Sequence, residues 1–135
     1  MVLAIMGVLV AALMPGRFSA SEGLEMRAAA RGIVDGLQRT RSLALLSGAP
    51  TLFSIDVDQR RFRAASDKTA SELPSQAKVT LRTALGNVAD RSLGGIRFFP
   101  NGGSTGGGIT LAANGAEYRI AVNWLTGRIE VSDAP

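Results

Sequence analysis

Met1 to Met14 reads MVLAIMGVLVAALM, and Pro15, Gly16 and Arg17 follow. The run holds no charged or strongly polar residue, so a helix through it is apolar on every side instead of along one stripe. Three environments compete for such a helix. A cleaved signal peptide needs a positive n-region, which does not precede this run, although Ser19-Ala20-Ser21 would serve as its cleavage site. A buried core helix normally keeps a polar face. A membrane span suits the composition best, but residues 1–14 rise only roughly 21 Å against a hydrocarbon core of about 30 Å, short by about six residues. The reading favoured is a membrane span whose start lies upstream of Met1. Val2, Leu3, Ile5, Met6, Val8, Leu9, Val10 and Leu13 then supply its membrane and assembly surface.

Outward from this run, Pro15 removes one backbone hydrogen bond and is expected to kink the helix at Pro15-Gly16 without ending it. Met26, Ala30, Ile33, Leu37 and Ala44 recur at helical spacing on one face, while Arg27, Arg31, Asp35 and Gln38 occupy another. Arg31 and Asp35 are spaced as an i, i+4 ion pair. Gly48 and Pro50 supply the stop. The sequence therefore predicts one helix with two halves, residues 1–17 in the membrane and 18–48 amphipathic, and residues 49–135 as a β-rich domain packed on the second half.

From Thr51 the apolar period changes from 3.6 to 2. Phe53, Ile55 and Val57 alternate with Ser54 and Asp56, and a turn at Asp58-Gln59-Arg60 leads into Phe62. Val79-Leu81-Thr83, Ile96 to Phe99, Ile109 to Ala113, Tyr118 to Trp124, and Ile129-Val131 read as further strands. Asn114-Gly115 is a two-residue hairpin signal, and the short connections favour antiparallel pairing. Residues 66 to 77 are polar, contain Pro74 and read as a loop. The fold class expected is α+β, a long kinked N-terminal helix on antiparallel sheet.

Composition narrows the chemistry. The chain has no Cys and no His, which removes disulfides, the usual zinc ligands and every scheme that needs an imidazole base. The formal charge is +4, but the arginines are scattered among acids and do not form the dense, aromatic-lined stripe of a nucleic-acid surface, so no nucleic-acid partner is expected. Asn101 to Gly108, NGGSTGGG, lacks the Lys of a phosphate loop and precedes a strand-like run, and so reads as a flexible hairpin loop. Asp56 and Asp58 lack the further acids of a calcium loop and read as an acidic turn beside Arg60 and Arg61. Glu22, Glu25 and Asp35 have no evident partner base or nucleophile. No catalytic residue, metal site or cofactor is expected.

Two stretches resemble a known family. Val2 to Pro15 resembles the later part of the N-terminal helix of type IV pilins and pseudopilins, with Pro15 where that helix commonly kinks. Gly95 to Leu111, GIRFFPNGGSTGGGITL, resembles the C-terminal signature of the H-type minor pseudopilins of type II secretion, a grouping that includes FimT-like minor pilins. The family pattern is met by Phe98 or Phe99, Pro100, Asn101, Gly102, Thr105, Gly106, Gly107, Ile109 and Leu111. Tyr118 to Arg128, and the region from Leu37 to Val57, are also similar. The resemblance implies a pilin-like fold and a non-enzymatic subunit of a periplasmic pseudopilus, single-pass in the inner membrane with its C-terminal domain in the periplasm. Its implied partners are the other minor pseudopilins, the major pseudopilin and, as a further candidate, the exported proteins. A FimT-like minor pilin of a type IV pilus, serving assembly or DNA uptake, and a secreted β-sandwich binding module with a cleaved signal peptide are the alternatives.

The family opens with a basic leader, Gly, a methylated Phe and a Glu. Aligning Pro15 with the usual kink leaves about seven residues to precede Met1, close to the shortfall set by bilayer thickness. The expectation is an in-frame basic residue, Gly-Phe-Thr and a Glu upstream of Met1, which the coding DNA on that side checks. A stop codon there without the motif overturns it.

Overall fold

A computed structural model describes the backbone of residues 2–83, 93–113 and 115–134, and the side chains of residues 23–82, 94–113 and 115–133. Among the described residues one helix, α1 (Val2–Ser47), precedes eight strands: β1 (Thr51–Asp56), β2 (Arg61–Arg63), β3 (Ser71–Glu72), β4 (Lys78–Thr83), β5 (Leu93–Phe98), β6 (Gly107–Ala113), β7 (Ala116–Val122) and β8 (Ile129–Ala134). The helix runs continuously past Pro15 and ends where expected. Gly48 takes φ 69° and its N–H donates to the Ala44 carbonyl at 3.1 Å, an αL cap.

The predicted inner face of α1 is the observed one. Met26, Ala30, Ile33, Leu37 and Ala44 are all buried. The sequence reading left a gap in this stripe at Thr40, which is also fully buried. Its hydroxyl donates to the Gly36 carbonyl at 2.7 Å and accepts from Ala65 N–H, and the Thr40 carbonyl accepts from the Thr51 hydroxyl at 2.6 Å. A polar group in the core is tolerated because its bonding capacity is met, and here those bonds tie the helix to one end of the adjacent strands β1 and β2. Arg31 and Asp35 do not form the expected ion pair. Among the described residues the ion pairs lie elsewhere, such as Arg39 to Asp67 at 2.5 Å. The base-before-acid order is the weaker arrangement on a helix, and both side chains are exposed.

All pairing is antiparallel, as expected, but it is divided between two sheets, ordered β3-β2-β1-β5 and β4-β6-β7-β8. The stretch read as a loop over residues 66–77 contains the short edge strand β3. The β6–β7 register, Ala113 opposite Ala116, leaves two residues for the turn. Gly115 takes φ 81° there, and Asn114 lies outside the described residues. The inner faces of both sheets and the helix stripe form one core, with Phe53, Ile55, Ile96 and Phe98 from the first sheet and Ile109, Leu111 and Ile120 from the second.

Close approach at the centre depends on a missing side chain. Phe53 and Phe62 pack with ring centroids 5.9 Å apart. A Cβ at Gly36 would stand 3.0 Å from the Phe53 ring, so the helix backbone sits directly on the aromatic pair. Phe53→Ala should cost about 3–5 kcal/mol, and Gly36→Val should also destabilise by overpacking, about 1–3 kcal/mol. Urea unfolding of the detergent-solubilised chain checks both, each read as a lowered midpoint.

Candidate assembly site

The glycine-rich segment turns back on itself as expected, with an antiparallel bridge between Phe98 and Ser104, but it does not join two strands of one sheet. β5 belongs to the first sheet and β6 to the second, so residues 99–106 carry the chain across the sandwich. Nor is the segment a free loop. Phe98 is core, and Phe99 opens a tight turn: its N–H donates to the Gly103 carbonyl at 2.9 Å and its carbonyl accepts from Gly102 at 3.0 Å. Pro100 and Asn101 form the exposed tip, and the Asn101 side-chain oxygen accepts from Gly103 N–H at 2.9 Å. Gly102, Gly106 and Gly107 take φ of 95°, 73° and 143°. The glycines therefore serve a path that L-residues disfavour, not looseness.

The loop is held from both sheets. Thr105 pairs twice with Arg97 of β5. Its N–H donates to the Arg97 carbonyl at 2.9 Å, and its hydroxyl oxygen accepts from Arg97 N–H at 3.0 Å. Ser104, buried, reaches the second sheet. Its N–H donates to the Trp124 carbonyl at 2.8 Å, its hydroxyl donates to the Asn123 carbonyl at 2.9 Å, and the same oxygen accepts from Gly106 N–H. Composition gives no sign of the bonds made by Ser104, whose partner Asn123 lies 19 positions away in sequence.

The β7–β8 turn completes the arrangement. The Asn123 side-chain oxygen accepts from Leu125 and Thr126 N–H at 2.8 and 3.1 Å, and Gly127 N–H donates to the Asn123 carbonyl at 2.9 Å. Trp124 was read as the last residue of an alternating strand, but it lies in this turn and is 67% exposed. Gly127 is buried at φ 69°, and a Cβ there would collide with the Gly102 carbonyl oxygen. Arg41 of α1 lies over the same glycine and donates to the Thr126 carbonyl at 3.4 Å. Sequence reasoning missed Arg41, Ser104 and Asn123. Only the Asn-x-x-Thr-Gly spacing of the turn hinted at the last.

The acidic turn is structural. Asp56 accepts from Gln59 N–H at 3.0 Å, and Arg60, at φ 56°, donates to the Pro74 and Ala77 carbonyls. The candidates in the apolar run, Val2, Leu3, Ile5, Met6, Val8, Leu9, Val10 and Leu13, and the kink residues Pro15 and Gly16, have side chains outside the described residues. Among the described residues, no helix is long and apolar enough to cross a membrane.

A long N-terminal helix seated on two antiparallel sheets, closed by a glycine-lined crossover, is a pilin-type α+β architecture. The minor pseudopilin EpsH from the type 2 secretion system of Vibrio cholerae matches it with a TM-score of 0.61 at 19% identity, over 80% of this chain and 96% of that one. The type IV minor pilin FimU of Pseudomonas aeruginosa matches with a TM-score of 0.57 at 16% identity, over 83% and 91%. At such identities the likeness shows the fold. Sequence goes further. Residues 29–127 match the family described as Type II transport protein GspH. Type II secretion system protein H of Xanthomonas campestris pv. campestris is 35% identical over 127 residues, 94% of this chain and 73% of that protein. The chain belongs to the GspH family.

Gly127→Ala should destabilise by at least about 2 kcal/mol, since it combines a left-handed backbone with a backbone collision. Thr105→Ala loses one hydrogen bond and keeps the backbone pair, and should cost about 1 kcal/mol. Thermal unfolding of the two variants side by side checks the ranking. Slow amide exchange at Ser104 and Thr105 checks that the loop is locked.

Proposed function

We propose that this chain is a minor pseudopilin, a structural subunit of the periplasmic pseudopilus that helps export folded proteins across the outer membrane by type II secretion. The observation that carries this reading is the family match over residues 29–127, which spans the helix stripe from Ala30 to Ala44, strands β1 to β7 and the crossover. The apolar run at residues 1–14 supports a membrane anchor, and in this reading the β-rich domain lies in the periplasm. Other minor pseudopilins and the major pseudopilin are its partners in this reading. Its work in this reading is assembly, the role that the GspH family match supports. Transfer from bilayer to fibre costs the apolar helix little, since lipid and helix bundle are similarly apolar.

The FimU likeness motivates a second reading, a minor pilin of a type IV pilus. The two TM-scores are too close to separate the alternatives, whereas the relative at 35% identity is named for type II secretion.

Deleting the protein should block release of folded exoproteins while their export across the inner membrane continues. Val8→Asp should mimic the deletion, because a central Asp costs about 2.5 to 3.5 kcal/mol on insertion scales. Fractionation of a secreted enzyme between periplasm and medium is the assay. Normal secretion with loss of surface pili or DNA uptake would replace this reading with the pilus one.

A further inference from the structure

The inner face of the second sheet is uncovered along the later part of β8. Cross-strand partners share a face, so Val131, opposite Ile120, and Asp133, opposite Tyr118, stand on the side that faces the core. Ile120 is 1% exposed, yet Val131 is 55% exposed. The core that closes over β7 reaches β8 only at Ile129 and leaves Val131 open. A groove of about 290 Å³ results, with Arg27, Ala30, Arg31 and Val34 of α1 on one wall and Tyr118, Val131 and Asp133 on the other. That volume lies at the lower limit for small-molecule pockets. The groove is open and has room for a few side chains of a passing segment.

Its charge is unbalanced. Arg27 and Arg31 are one helical turn apart, an unfavourable like-charge spacing, and among the described residues neither has an ion pair. Apolar floor, one tyrosine and two free guanidinium groups make a surface of the kind that anchors protein interfaces. The Asp133 carboxylate on the far wall asks for a donor beside the anionic groups, which a peptide segment carries and a phosphate group does not, and this argues against lipid as the occupant. A second copy is disfavoured because each chain carries a formal charge of +4.

We propose that this groove seats an amphipathic, carboxylate-bearing segment of a different subunit in the same fibre. Its apolar side lies on Val34, Tyr118 and Val131, its carboxylates meet Arg27 and Arg31, and a donor meets Asp133. The inference rests on the pseudopilus reading. The test places the photoreactive residue p-benzoylphenylalanine at position 131 of the full chain, in cells that make the rest of the secretion machinery. Position 46, where Leu46 is 86% exposed on the outer side of α1, is the control.

The expected product at position 131 joins another pseudopilin through an acidic peptide, identified by mass spectrometry. Arg27→Glu with Arg31→Glu should lower its yield about fivefold at equal protein level, while Arg27→Lys with Arg31→Lys retains most of it. The proposal is overturned by no product at position 131, by a product with lipid or with a second copy, or by a yield that charge reversal leaves unchanged. Exoprotein release measured in the same background separates the two claims. Blocked release on deletion with no product at 131 removes the groove alone, whereas normal release on deletion removes the pseudopilus reading itself.

Discussion

The contact on which the rest of the domain depends is that between the helix stripe and the aromatic pair beneath it. Gly36 lets the α1 backbone sit on Phe53, and Phe53 stacks on Phe62. Two sheets that share no strand pairing are held in one core because the same stripe faces both. Buried apolar area is the main favourable contribution to such a fold, and a domain this small has one core to supply it. Thr40 gives the helix a fixed position along its axis as well, by hydrogen bonds to residues at one end of the adjacent strands β1 and β2.

The crossover solves a second problem. Sheets packed face to face need their ends closed without burying unpaired backbone groups. Residues 99–106 do this by taking bonds from β5 on one side and from the β7–β8 turn on the other. The family pattern becomes physical at this point. The glycines permit the backbone path, Thr105 and Asn101 satisfy amides along it, and Gly127 opposite keeps room for the Gly102 carbonyl. The closed end presents Trp124 and Leu125 outward, while the opposite side of the molecule leaves the helix–β8 groove uncovered.

Much of this was legible in residue order. The helix stripe, its glycine stop and most of the strands followed from period alone, because each of those features is set by neighbours within a few residues. The crossover was misread for the same reason. Five glycines in NGGSTGGG state that the backbone can take unusual angles; they do not state whether distant partners will fix them. Trp124 was likewise assigned to a strand by alternation, and the Asn123 side chain, capping Leu125 and Thr126, ends the strand first.

The sequence by itself determined the kind of elements, the helix face that is buried, the absence of Cys and His chemistry, and the family. Tertiary structure alone decided the division into two sheets, the locking of the glycine crossover, the place of Arg41 over Gly127, and the exposure of Val131 on an inward-facing position. The reason is range. Local period and turn chemistry act over a few residues, whereas these outcomes depend on groups far apart in sequence, as between Ser104 and Trp124 or between Arg41 and Thr126, and such pairings exist only once the core has closed.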